Sequence, residues 1–98
     1  MTSRALLITY DLNKPGQNYA KLYEAIKRLG VWWHYLDSTW IVATSLTPNS
    51  AWEALQSCLD ASDNCLIVDI TADAYQGWLP KEAWEWIHKY VDSAVRRS

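Results

Sequence analysis

A carboxylate closes the first strand-forming run of the chain. In LLITYDLNKPG, residues 6–16, the apolar residues end at Tyr10-Asp11 and pass into the turn-like Asn13-Lys14-Pro15-Gly16. An ionised Asp11 at the end of a strand can hold Mg²⁺ or Mn²⁺ through one or two oxygens, leaving other positions to water or phosphate. Asn13 and Lys14 follow closely enough to touch a phosphate bound there. A competing reading needs no ligand: Asp caps turns by accepting from downstream backbone N–H groups, and Asn and Lys are ordinary solvated loop residues. Both readings stand on spacing alone.

His34 lies within a strand-like run beside Trp32 and Trp33. A histidine there is either a general base or metal ligand, or a hydrogen-bonded packing residue, and packing is the commoner role. Asp37 and Ser38 read first as turn-formers. His88 falls on the exposed side of the last helix and receives no role. No GxSxG, P-loop, GxGxxG or HExxH pattern occurs, which removes the usual nucleophile and nucleotide signatures.

These residues must be positioned by one small domain, residues 1–98. Half the residues are hydrophobic, with seven Trp, six Tyr and no Phe. Each large aromatic buries on the order of 150–250 Å², so part of this surface is expected in an interface or ligand site, while plain core filling serves as well for any single Trp. Nine basic and eleven acidic residues give a formal charge of −2, which lacks the basic surface of a non-specific duplex binder. The one basic cluster, Arg96-Arg97, reads as a solvated tail. Cys58 and Cys65 lack zinc-ligand spacing and read as free thiols in a reducing compartment. The apolar run from Ala5 to Ile8 is too short for a signal or membrane span, so a soluble cytoplasmic protein is expected.

Periodicity places the elements. Arg4 to Asp11 is apolar enough for a central strand. Tyr19, Leu22, Tyr23, Ile26 and Leu29 recur at helical spacing, with Gly30 at the left-handed position that ends such a helix. Val31–Leu36 and Thr39–Thr44 flank Asp37-Ser38 as a hairpin. A second helix opens near Thr47-Pro48, or at Ser50 if Ser50 and Glu53 form a capping box. Cys65 to Ile70 follows as a strand, Asp73 to Gly77 as a turn, and a third helix runs from Pro80 to about Val95.

The expected fold is therefore α+β: a ferredoxin-like split β-α-β sandwich (βαββαβ) with an additional C-terminal helix, its first and third strands central. Trp32, His34 and Leu36 alternate with Val31, Trp33 and Tyr35, so the sheet face away from the first two helices also carries bulky groups. Such a face is covered by the third helix or by a second copy, and a two-fold homodimer using it, with the third helix contributing, is the expectation. STWIVAT lacks the Lys/Arg-Gly-aromatic signature of an RNA-recognition module.

The ordered pattern LITYDLNKPGQNY…WWHYLDSTWIV…GWLP, over residues 5 to about 86, resembles the CRISPR-associated protein 2 family, its VapD-type toxin relatives and small bacterial proteins labelled SinR-family. The resemblance implies a ferredoxin-like homodimer and a Mg²⁺-dependent phosphodiesterase acting on RNA or DNA. It makes Asp11 the metal-binding catalytic residue and matches the family's strand-three serine to Ser38; Asn13, Lys14 and His34 are placed toward substrate on their own positions in the sequence. The second expectation, from composition, is a non-catalytic dimeric module in which Trp33 and Trp40 build an interface or a small-ligand pocket.

Overall fold

The computed structural model of the chain describes residues 4–12 and 19–92. Asn13 and Lys14, with the turn they begin, lie outside the described residues, as do Ala94 and the Arg96-Arg97 pair. In chain order the elements are β1 (Arg4–Asp11), α1 (Ala20–Lys27), β2 (Val31–Leu36), β3 (Thr39–Thr44), α2 (Pro48–Leu55), β4 (Asn64–Asp69) and α3 (Lys81–Tyr90), with one 3-10 turn at Gln56–Cys58. Among the described residues the chain is α+β, with three helices and a four-stranded sheet ordered β2-β3-β1-β4, every neighbouring pair antiparallel. No helix among these residues is long and apolar enough to cross a membrane.

Alternation along the central strands divides the core in two. Ile8 and Tyr10 of β1 and Trp40 and Val42 of β3 face α1 and α2, where they meet Tyr19, Leu22, Ile26 and Leu55. The opposite face carries Ala5, Trp33 and Ile41, and these pack against Ala83, Ile87 and Val91 of α3. The third helix therefore covers part of the second face within one chain, one of the two covers the alternation of β2 calls for. Trp33 fixes this arrangement, because its indole N–H donates to the Ala83 carbonyl at 3.2 Å in a buried position.

Local chemistry sets the element ends. Thr47 caps α2: its Oγ1 accepts the Ser50 backbone N–H at 3.1 Å, with Pro48 in the first turn, so the helix starts at the earlier of the two expected positions. Gly30 serves a different purpose from the one its place after α1 implies. Its φ lies outside the left-handed region, and a Cβ there would stand 2.1 Å from the Ala43 carbonyl oxygen. Close approach of α1's exit to β3 is what requires glycine. Ala72, by contrast, does sit in the left-handed region, at φ 55°.

β2 departs from simple alternation. Trp33 pairs with Ile41, but Leu36 pairs with Thr39, so one extra residue is accommodated between them. Beyond this bulge Leu36 lies on the same face as Trp33, whereas uniform alternation would have placed the two on opposite faces.

Candidate functional site

Two places merit a functional reading. The first is the carboxyl end of β1. Asp11 is exposed there, opposite Asn64 of β4, and both line a shallow depression of about 250 Å³. The Tyr10 backbone N–H donates to the Ser38 carbonyl at 3.0 Å, which puts the hairpin turn beside Asp11. The Thr9 and Thr39 hydroxyls meet at 3.1 Å on the same strand face as Asp11. Antiparallel pairing of β1 with β3 thus gathers Asp11 and Ser38 at one end of the sheet.

His34 is engaged in building that turn. Its ring stacks on Trp40, centroids 3.8 Å apart and planes 10° from parallel. Its Nε2 lies 3.0 Å from the Asp37 carbonyl, which can only accept, so Nε2 carries the proton. Trp40 donates its indole N–H to the Tyr10 hydroxyl at 2.8 Å, and Tyr10 in turn donates a longer 3.4 Å bond to the same carbonyl. These side chains together hold the Asp37-Ser38 turn against the end of β1. Trp40 itself is buried in the core on the α1–α2 side of the sheet.

No group of three or more His, Cys, Asp or Glu side chains converges among the described residues. The described residues of one chain therefore form no closed cage of such side chains, and Mg²⁺ at Asp11 would draw on water and phosphate as well. This is the open mode in which Mg²⁺ is held at phosphate-handling sites. Nearby Cys65 makes a poor nucleophile, since burial pushes its thiol pKa up.

The second place is a cavity of about 260 Å³ between α3, the irregular segment after β4 and the second face of the sheet. Trp33, Leu36, Ile41 and Ile87 form its floor and sides, and Tyr75 and Trp84 stand at one wall with rings stacked at 5.9 Å. The bulge in β2 is what brings Leu36 into this lining. Tyr75 is pinned from outside: its hydroxyl donates to Asp92, 2.9 Å from each carboxylate oxygen. His88 Nδ1 stands 3.0 Å from the same carboxylate and 3.1 Å from the Tyr75 hydroxyl. Hydrogen bonds from His88 first, and then Tyr75, hold the Asp92 carboxyl below its usual range. Burial and then Asp92 raise the Tyr75 phenol.

Sequence reasoning assigned nothing to Tyr75, His88 or Asp92. The four-residue spacing of His88 and Asp92 was a readable helical pair; the arrival of Tyr75 from a loop was not. Trp78, in the same segment, is fully exposed. Comparison of the chain with protein-family models, with curated proteins and with solved structures finds no match in any of the three.

Proposed function

We propose that this protein is a ferredoxin-like binding module that takes up a small, largely apolar molecule in the cavity beneath α3. The strand order and the two crossover helices suit the split β-α-β description, with α3 added on the second face. The observation that carries the function is the cavity itself: about 260 Å³, walled by aromatic and branched side chains, with few polar groups. That volume sits just under the roughly 300–1,000 Å³ of drug-sized ligand sites, so the occupant is compact. Two-dimensional NMR of the indole N–H groups, titrated with small aromatic and aliphatic compounds, tests this. Saturable shifts at Trp33 and Trp84 are expected, and their loss in Leu79→Trp, which fills the space. Absence of any saturable shift up to millimolar ligand would sink the reading.

A second reading draws support from the Tyr10–Ser38 backbone hydrogen bond, which brings the hairpin turn to the end of β1 that carries Asp11. In it the protein is a homodimeric, Mg²⁺-dependent phosphodiesterase of RNA or DNA, with Asp11 as metal ligand, Ser38 beside it, and Asn13 and Lys14 toward phosphate. A bound Mg²⁺ would supply charge neutralisation at the scissile phosphate and an activated water. Labelled RNA and DNA incubated with Mg²⁺ or Mn²⁺ check it. Cleavage abolished by Asp11→Ala is expected, and cleavage that survives that substitution would refute the assignment. Light scattering at micromolar concentration reads the homodimer directly.

A further inference from the structure

We propose that Tyr75, His88 and Asp92 form a binding site for Fe³⁺, with the phenol oxygen, the imidazole Nδ1 and the carboxylate capping one face of an octahedral shell. The site lies on the outer side of Tyr75 and stands independently of the cavity reading. Its three donors are mutually adjacent. The Tyr75 hydroxyl is 2.9 Å from each Asp92 oxygen and 3.1 Å from His88 Nδ1, and Nδ1 is 3.0 Å from Asp92 Oδ2. Metal–oxygen and metal–nitrogen bonds are about 2.1 Å long, so donors at right angles around one ion lie about 3.0 Å apart. Tetrahedral donors would be separated by about 3.4 Å, and a square plane would put two of the three about 4.2 Å apart. The triangle therefore fits an octahedral face rather than a tetrahedral zinc centre or a planar copper one, and leaves the opposite face to water.

The donor set names the ion. Iron takes imidazole nitrogen and accepts a tyrosine oxygen. Burial and then Asp92 raise the Tyr75 phenol, so displacing its proton needs a strongly polarising ion, which favours a trivalent cation over a divalent one. On binding, Tyr75 releases its proton to solvent, His88 offers the Nδ1 lone pair with its proton on Nε2, and Asp92 is already ionised. The place suits a cation as well. Asp92 follows the carbonyl end of α3, where the helix dipole disfavours a carboxylate and favours positive charge. The His88 and Asp92 side chains are 64% and 48% exposed, so an ion reaches them. Contacts this exposed contribute little to stability, yet the backbone is strained where the loop turns to make them. Ala72, at φ 55°, directs the chain toward α3, and its N–H donates to the Val91 carbonyl at 3.3 Å. Strain of this sort gathers at functional sites.

Absorbance spectroscopy reads the site directly. The full chain at neutral pH is titrated with Fe³⁺ as its nitrilotriacetate chelate, since a phenolate on Fe³⁺ gives a visible charge-transfer band that the chelate alone lacks. The band is expected to appear and to saturate near equimolar iron. Tyr75→Phe should abolish it with the far-UV circular dichroism unchanged, whereas Tyr90→Phe, on α3, should keep it. His88→Ala and Asp92→Asn, both at exposed side chains, should each weaken binding by at least the roughly 10–100-fold that loss of a supporting residue costs at metal sites. No band in the wild type, or a band that survives Tyr75→Phe, overturns the inference. So does undiminished binding in both His88→Ala and Asp92→Asn. None of these results touches the cavity, whose indole shifts are read without iron.

Discussion

The indole N–H of Trp33 on β2 donates to the backbone carbonyl of Ala83 on α3, 3.2 Å away and buried. This bond crosses from sheet to helix at the floor of the cavity. It explains why a residue as large as Trp, 2% exposed, occupies a strand near the sheet's edge. Trp33→Phe keeps an aromatic ring but removes the donor and part of the volume. We expect it to lower stability by about 1–3 kcal/mol in urea denaturation, the range for one buried hydrogen bond plus a small cavity. A loss below a few tenths of a kcal/mol would show that α3 is held to the sheet by other contacts.

Gly30 supplies the next test. A Cβ at this position would meet the Ala43 carbonyl oxygen at 2.1 Å and the Thr44 Cβ at 3.3 Å. The obstruction is backbone in a central strand, so it cannot rotate away as a side-chain tip would. The same junction is tied by the Thr44 hydroxyl donating to the Leu29 carbonyl at 2.8 Å. Gly30→Ala should therefore cost about 2–4 kcal/mol through overpacking and displacement of that bond. If Gly30→Ala proves neutral or stabilising in urea denaturation, β2 and β3 must be able to move apart without penalty.

Much of this arrangement is legible in the sequence where local pattern has a single physical consequence. The helical spacing of Leu22 and Ile26, and the unbroken apolar run of β1, each point to one buried face. The position of the Asp37-Ser38 turn at the end of β1 follows once β1 and β3 are neighbours, because a hairpin turn must then lie there. The bulge in β2 was not legible. Bulky groups occupy both faces of VWWHYL, so a one-residue slip leaves no misplaced polar side chain to betray it. That slip moves Leu36 into the cavity lining, and with it part of the candidate site was hidden. The Tyr75–Asp92 contact was hidden for another reason: it joins a loop to a helix end 17 residues away, and no periodic pattern encodes it.

Acid should expose the role of Asp69. Arg4 Nη1 donates to Asp69 Oδ2 at 2.9 Å, and the Thr71 backbone N–H donates to Oδ1 at 2.9 Å, with the Thr71 hydroxyl close by. Burial alone would raise the Asp69 pKa, but the Thr71 bonds and then Arg4 outweigh it, so the carboxyl sits below its ordinary value. A depressed folded-state pKa contributes stability above the unfolded value of about 3.9, which is lost as pH falls through the folded one. Asp69→Asn should therefore cost about 1–2 kcal/mol near neutrality and little once pH is well below that range. Urea midpoints of both proteins across this window give the answer, and a cost independent of pH would refute the assignment.

Alkali should act in the opposite sense through Tyr10. Its ring is 8% exposed, and its hydroxyl accepts the Trp40 indole N–H at 2.8 Å. Burial raises its pKa; the Trp40 bond works against that shift, and nearby Tyr23 and Asp37 add to it. A raised folded-state pKa means that the contribution is complete below the unfolded value, about 10, and is lost as pH rises through the folded one. Wild-type stability should therefore decline above about pH 10 more steeply than that of Tyr10→Phe, which has no proton to lose there. At neutral pH the wild type is the more stable of the two. Tyr10→Phe leaves the buried Trp40 N–H without its acceptor, and we expect a cost of about 1–3 kcal/mol. The two urea-stability curves should thus converge as the medium becomes alkaline. Parallel curves would mean that Tyr10 titrates no differently in the folded and unfolded chains, and that the Trp40 contact holds the turn without depending on the phenol's proton.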